Sequence, residues 1–249
     1  MKIASLSSLA LVALAACSST NSTGTTGTGT GTGTGSGTPA TPDQGLAGGG
    51  DTAAATAPDK NPDGVAYPTT NIGTNQRVGD TAGNTLANYK FLGYPDGDLT
   101  KGLQPISMAT LFDPSGARVK LIHIQASGSW CVYCQEEVKT ITPMRQKLAD
   151  RKVAWIISLA EGPTRGTPAT TKDLDKWVSQ FKAPYTQFLD PGNKNFGPFY
   201  DAAALPWNAN INAETMEILS SGVGATTAET AILEDVDGWI AKIDNGSLK

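Results

Sequence analysis

The sequence is short of the residues that hold metals or move protons near neutral pH: among 249 residues there are three cysteines and one histidine. A structural zinc site needs four ligands, and beside Cys131 and Cys134 only His123 and Cys17 remain as soft donors. Charged residues make up 17% of the chain, and the formal net charge is -4. No cluster of Lys and Arg could neutralise a run of phosphates, which excludes nucleic acid as a partner class. The apolar run from Ile3 to Ala16 is too short to span a bilayer as a mature helix.

What that run does resemble is a secretory signal, since Lys2 precedes it and small residues follow. Residues 1–16 are read as a signal peptide and Leu14-Ala15-Ala16-Cys17 as a bacterial lipobox, with Cys17 as the lipidated first residue of the mature chain. Ala13-Leu14-Ala15 also fits an ordinary cleavage rule. Lipidation has the merit of explaining the odd third cysteine of an exported protein. Residues 17–63 form an expected tether of Thr, Gly, Ser, Ala and Pro, with the run TGTGTGTGTG between Thr26 and Gly35. So little apolar surface cannot offset the entropy of ordering, and a flexible chain of about 45 residues reaches roughly 35 to 40 Å. The localisation that follows is the cell envelope, held to a membrane by the lipid. Ser18 points to the outer membrane if the source is Gram-negative.

Residues 64–249 carry the pattern of one folded domain. Strands are expected at 89–94, 118–126, 153–160, near 185–189, and as a hairpin near 208–211 and 216–219. Helices are expected from Cys131 to about Asp150 with a kink at Pro143, from Thr171 to Phe181, around 195–203, and at the carboxyl end. The last has Thr226 and Glu229 as a capping box, an apolar face of Ile232, Val236, Trp239, Ile240 and Ile243, and Gly246 as its stop. Strands alternating with helices predict an α/β fold, a mixed central sheet covered by helices on both faces.

The chemistry is concentrated in Gly128-Ser-Trp-Cys-Val-Tyr-Cys-Gln-Glu-Glu-Val138, where a strand hands over to a helix. A helix start presents unpaired N–H groups and the positive end of the dipole, both of which stabilise a thiolate. Cys131 is therefore the expected attacking thiol, and Cys134, one turn along, the expected resolving thiol. A purely structural disulfide is the bland alternative, but a bridge across two residues removes little unfolded-chain entropy. His123 on its strand is read as a hydrogen-bonded core residue rather than a catalyst. Trp130 and Tyr133 are read as shaping the surface around Cys131.

The segments VKLIHIQASGSWCVYCQEEV, FLDPGN and LPWNANINAETMEIL resemble the thioredoxin-fold TlpA/ResA-like thiol-disulfide oxidoreductases, over about residues 79–243. The resemblance implies a thioredoxin-like fold with an N-terminal β extension and an enzyme that exchanges disulfides with protein cysteines. It implies no cofactor beyond the dithiol itself, and a separate redox partner that resets the couple. Pro206 matches the cis-proline that faces the cysteines. Glu137 matches an acidic residue placed to take the proton of the resolving thiol; the other reading is a solvated helix residue like Glu136. Gln125 stands where thioredoxin has a buried acid and cannot take a proton. The chain departs from the pattern at Val132-Tyr133, Ser127 and Lys139. Two further classes share the fold: a peroxiredoxin-like peroxidase, whose P-x-x-x-[ST]-x-x-C signature is absent because Ile124 and Gly128 occupy those offsets, and a Sco-like copper carrier, whose cysteines are spaced wider and whose histidine follows them.

Overall fold

Two strands, β3 (Leu121–Gly128) and β4 (Val153–Glu161), bury every side chain except that of Ala154, as strands covered on both faces must. They form the centre of a seven-stranded mixed sheet in a computed structural model that describes residues 54–200 and 204–248. The signal segment, Cys17 and the tether as far as residue 53 lie outside the described residues. The remaining strands are β1 (Lys90–Tyr94), β2 (Gln104–Ser107), β5 (Thr186–Leu189), β6 (Trp207–Asn212) and β7 (Ile218–Val223). Their spatial order is β2-β1-β5-β4-β3-β6-β7. β3, β4 and β5 run parallel, and the other pairings are antiparallel.

Side chains alternate across this sheet into two cores. One gathers Leu121, Trp155, Ile157 and Leu159 with residues of α1 (Val132–Ile141), α2 (Arg145–Asp150), α3 (Thr171–Phe181) and α4 (Glu229–Asp244). The other gathers Ile122, Ile124, Ile156, Phe188 and Trp207 with Phe91, Met108, Phe112 and Phe196, which come from 3-10 turns, loops and the N-terminal extension. Helical cover on both faces is thus α-helical on one and 3-10 on the other, among the described residues. α3 starts on a capping box in which Thr170 accepts from the Asp173 amide and Asp173 accepts in return.

Four expectations need correction. The expected helix from Cys131 to about Asp150 is cut rather than kinked: Pro143 sits in a 3-10 turn, Thr142–Met144, that separates α1 from α2. Around 195–203 there is a 3-10 turn, Gly197–Phe199, in place of an α-helix, and residues 201–203 lie outside the described residues. The cap of α4 is Ala228, with no side-chain bond; the Thr226 amide donates elsewhere, to Glu137. Finally, position 64 is not the edge of the folded part. Ala54, Ala57 and Asn61 are buried, Asn61 Nδ2 donates to Phe112 O at 3.2 Å, and Ser107 Oγ donates to Pro58 O at 2.6 Å. Asp59 also receives Asn88 Nδ2 at 3.0 Å and Lys90 Nζ at 2.9 Å.

A chain truncated after residue 63 should therefore melt below one truncated after residue 53. With two or more net hydrogen bonds and two buried alanines lost, the drop should be at least about 4 °C for a domain of this size. Equal melting temperatures in differential scanning calorimetry would place residues 54–63 outside the cooperative unit.

Candidate active site

The site begins where β3 ends. The turn is closed by Ser129 N donating to Glu161 O at 2.9 Å and Cys131 N donating to Gly128 O at 3.0 Å. Gly128 is required there, because a Cβ would come within 2.8 Å of Trp130 Nε1 and 3.2 Å of Leu205 Cδ1. The turn hands the chain to α1 with Cys131 as its N-cap, and the Cys134 amide donates to Cys131 Sγ at 3.1 Å. Cys131 and Cys134 are joined as a disulfide. A helix N-terminus whose amides point at sulfur lowers the cost of a thiolate when the bridge is opened.

Both cysteines are buried, at 2% and 0% exposure. Greater exposure of Cys131 is therefore not what sets the two apart; its place at the cap is. The exposed residues of the motif are Val132 and Tyr133, which stand out at 64% and 71%. On the opposite side of Cys131 lies the loop leading into β6. Cys131 Sγ is 3.5 Å from Leu205 O, and the Leu205-Pro206 bond is cis. Pro206 is thus the next residue of the loop after the carbonyl that lies beside Cys131. Its carbonyl accepts from Gly224 N at 2.9 Å, tying the loop to the end of β7.

Glu137 is buried at 1% exposure, so it is unlike Glu136, which is exposed and paired with Lys139 at 2.7 Å. Its carboxyl points to β6 and the segment before α4: Oε1 accepts from Thr226 N at 2.8 Å, and both oxygens receive Asn208 Nδ2 at 3.2 Å. Burial pushes its pKa from 4.5 up to about 7, with the Thr226 and Asn208 bonds pulling the other way. One turn from Cys134, this is a carboxyl able to change charge near neutral pH. Gln125 lies beneath, donating to Cys134 O at 3.2 Å and accepting from Trp155 Nε1 at 3.2 Å. It locks the motif helix to the sheet.

His123 is buried, as expected for a core histidine, and stacks on Trp155 with ring centroids 3.7 Å apart. Asn208, Asn210 and Glu161 are site residues that sequence reasoning missed. Glu161 accepts from Trp130 Nε1 at 2.5 Å and from Gly166 N at 2.9 Å, and Arg165 lies over the Trp130 ring at 5.2 Å. The alternation W-N-A-N-I-N in β6 was the available signal for the two asparagines: it places Asn208 and Asn210 on the helix-covered face, with Trp207, Ala209 and Ile211 in the other core.

No family model matches the chain, and no curated protein matches it. Solved structures do. AhpC from Enterococcus faecalis superposes with a TM-score of 0.51 at 13% identity, covering 66% of this chain and 95% of that one. The reduced 2-Cys peroxiredoxin of Plasmodium vivax gives 0.51 at 11% identity, covering 66% and 84%. A putative thiol:disulfide interchange protein DsbE from Chlorobium tepidum gives 0.48 at 16%, covering 64% and 97%. With the strand order and the motif at the start of α1, the likeness to the two structures at 0.51 makes the fold thioredoxin-like.

A raised carboxyl pKa favours the folded state below the unfolded value and ceases to do so as pH rises through the folded value. For Glu137 the window is pH 4.5 to about 7. Glu137→Gln should therefore gain stability relative to the parent across that window, by on the order of 3 kcal/mol from about 1.4 kcal/mol per pKa unit. Urea unfolding at pH 4.5 and pH 8 measures it; a parent–variant difference that does not change with pH would mean Glu137 is not raised.

Proposed function

We propose that the chain is a thiol-disulfide oxidoreductase that exchanges disulfides with protein cysteines in the cell envelope. The observation that carries the reading is the Cys131 sulfur: it caps α1, receives the Cys134 amide at 3.1 Å and lies 3.5 Å from Leu205 O in the Pro206 loop. In the reducing direction, the Cys131 thiolate attacks a client disulfide, forming a mixed disulfide and releasing one client thiolate. Cys134 then loses its proton to the Glu137 carboxylate, and its thiolate attacks Cys131 Sγ. The intramolecular disulfide forms, the second client thiolate leaves, and two electrons have passed to the client. A separate redox partner returns the pair to dithiol.

Exposed Val132 and Tyr133, between the two cysteines, offer an apolar surface to a client chain. The lipobox at Leu14-Ala15-Ala16-Cys17 supports export and a lipid anchor at Cys17, with the sequence up to residue 53 as tether. The peroxidase reading draws on the same fold but lacks the residues of its signature before Cys131. A copper-carrying reading would need His123 as a ligand, whereas both ring nitrogens of His123 face asparagine side chains.

Cys134→Ser should accumulate mixed disulfides with client proteins, and Cys131→Ser should not, because without Cys134 nothing nearby releases the client. The measurement is a non-reducing gel of membrane and soluble fractions from cells expressing each variant, with adducts identified by mass spectrometry. Adducts are expected in the membrane fraction. Adducts confined to Cys131→Ser would invert the two roles, none in either variant would remove the exchange reading, and adducts only in the soluble fraction would remove the anchor.

A further inference from the structure

Behind the motif helix lies a cavity of about 280 Å³ lined by His123, Glu137, Asn208, Asn210, Trp155 and Asp235 among others. Its polar side chains form one chain of hydrogen bonds. Glu137 receives Asn208 Nδ2; Asn208 Oδ1 meets His123 Nε2 at 3.1 Å; His123 Nδ1 meets Asn210 Oδ1 at 2.9 Å. Asn210 Nδ2 then donates to Asp235 Oδ2 at 2.8 Å and to Ser220 Oγ at 3.2 Å.

The orientation of both amides follows from their outer partners. Asn208 Nδ2 also donates to Gly224 O at 3.0 Å, and a backbone carbonyl only accepts, so this amide cannot be turned around. Its oxygen must face His123. Asn210 is held the same way by the Asp235 carboxylate. Each ring nitrogen therefore faces an acceptor, and both must carry a proton for both contacts to be hydrogen bonds. Burial favours the neutral ring and pushes its pKa below 6.5; the two amide oxygens and Asp235 oppose this. Around the ring, α1 gives the Glu137 carboxyl, α4 gives Asp235, β6 and β7 give amides and hydroxyls, and β4 gives the stacked Trp155; among the described residues no Lys or Arg lines the cavity to oppose a charged ring.

We propose that His123 is a doubly protonated hub and a positioning residue: it donates to the Asn208 amide, whose Nδ2, held by Gly224 O, donates in turn to the Glu137 carboxylate that takes the proton of Cys134. The second half rests on the oxidoreductase reading. The first half does not, and it is tested on the oxidised protein without any thiol reaction.

With a single histidine in the chain, nitrogen-15 spectra of the imidazole contain one ring and need no assignment between sites. At the acid end of the range, near pH 5, both nitrogens should show the protonated, imidazolium shift. A single neutral tautomer throughout pH 5 to 8 would overturn the proposal. The Thr226 amide, bonded to Glu137 Oε1, reports on the carboxyl. In His123→Leu, its pH inflection should move upward by about one unit or more, since a nearby cation is lost. An unmoved inflection would also overturn it. Should the variant fail to fold, the ring spectrum of the parent decides by itself. A charged ring with a shifted inflection, in a protein that traps no client, would leave the hub standing and remove only the oxidoreductase reading.

Discussion

Everything at the site depends on one junction: the four-residue passage from the end of β3 into α1. Gly128 admits the side chains of Trp130 and Leu205 close to the backbone, the turn then closes on Glu161 and Gly128 carbonyls, and Cys131 arrives as the cap of the helix. An ordinary cap is a hydroxyl or carboxyl oxygen worth about 1 kcal/mol. Here the capping atom is sulfur, so the same amides that would stabilise a fold stabilise the charge of a thiolate instead. A substitution at Gly128 would disturb the Leu205 side chain before Pro206 and the Trp130–Glu161 contact together, because Trp130, Leu205 and Glu161 all come within 3.3 Å of its missing Cβ.

The face of the sheet under α1 and α4 is unusual in its polarity. Gln125, His123, Asn210 and the half-buried Asn208 are placed where the opposite face has Ile124, Ala209 and Ile211, and Glu137 of α1 faces them. Each buried polar group would cost one or more kcal/mol if unpaired, and these five are paired with one another or with backbone. Such a layer adds little net stability and is easily replaced by an apolar one. Its presence beside Cys134 fits a role in protonation better than a role in packing.

How much of this was legible in the sequence depended on whether the signal was local. The long apolar runs of β3 and β4 and the apolar stripes of α3 and α4 are local, and they were read correctly to within a few residues. β2 was missed because Pro105 argues against a strand; it is tolerated since β2 is the edge of the sheet, where one side of the ladder is open. Thr226 looked like a cap on spacing alone, but its amide is taken by Glu137, a partner 89 positions away that no local pattern announces. For the same reason the burial of Glu137 could not be read: Glu136 and Glu137 are adjacent and chemically alike, and only the packing of β6 against α1 separates them. Residues 54–63 have the composition of a linker, yet a few small buried side chains and backbone-directed bonds hold them in place, which composition does not register.

On the proposed reading, position at the helix start, not exposure, makes Cys131 the nucleophile. The most direct measurement is the pH dependence of alkylation of each reduced cysteine by iodoacetamide, followed by peptide mass spectrometry. Cys131 should react first, with a midpoint well below the value of about 8.5 for a free thiol, and Cys134 should stay unreactive at that pH. A midpoint near 8.5 for Cys131, or earlier modification of Cys134, would contradict it.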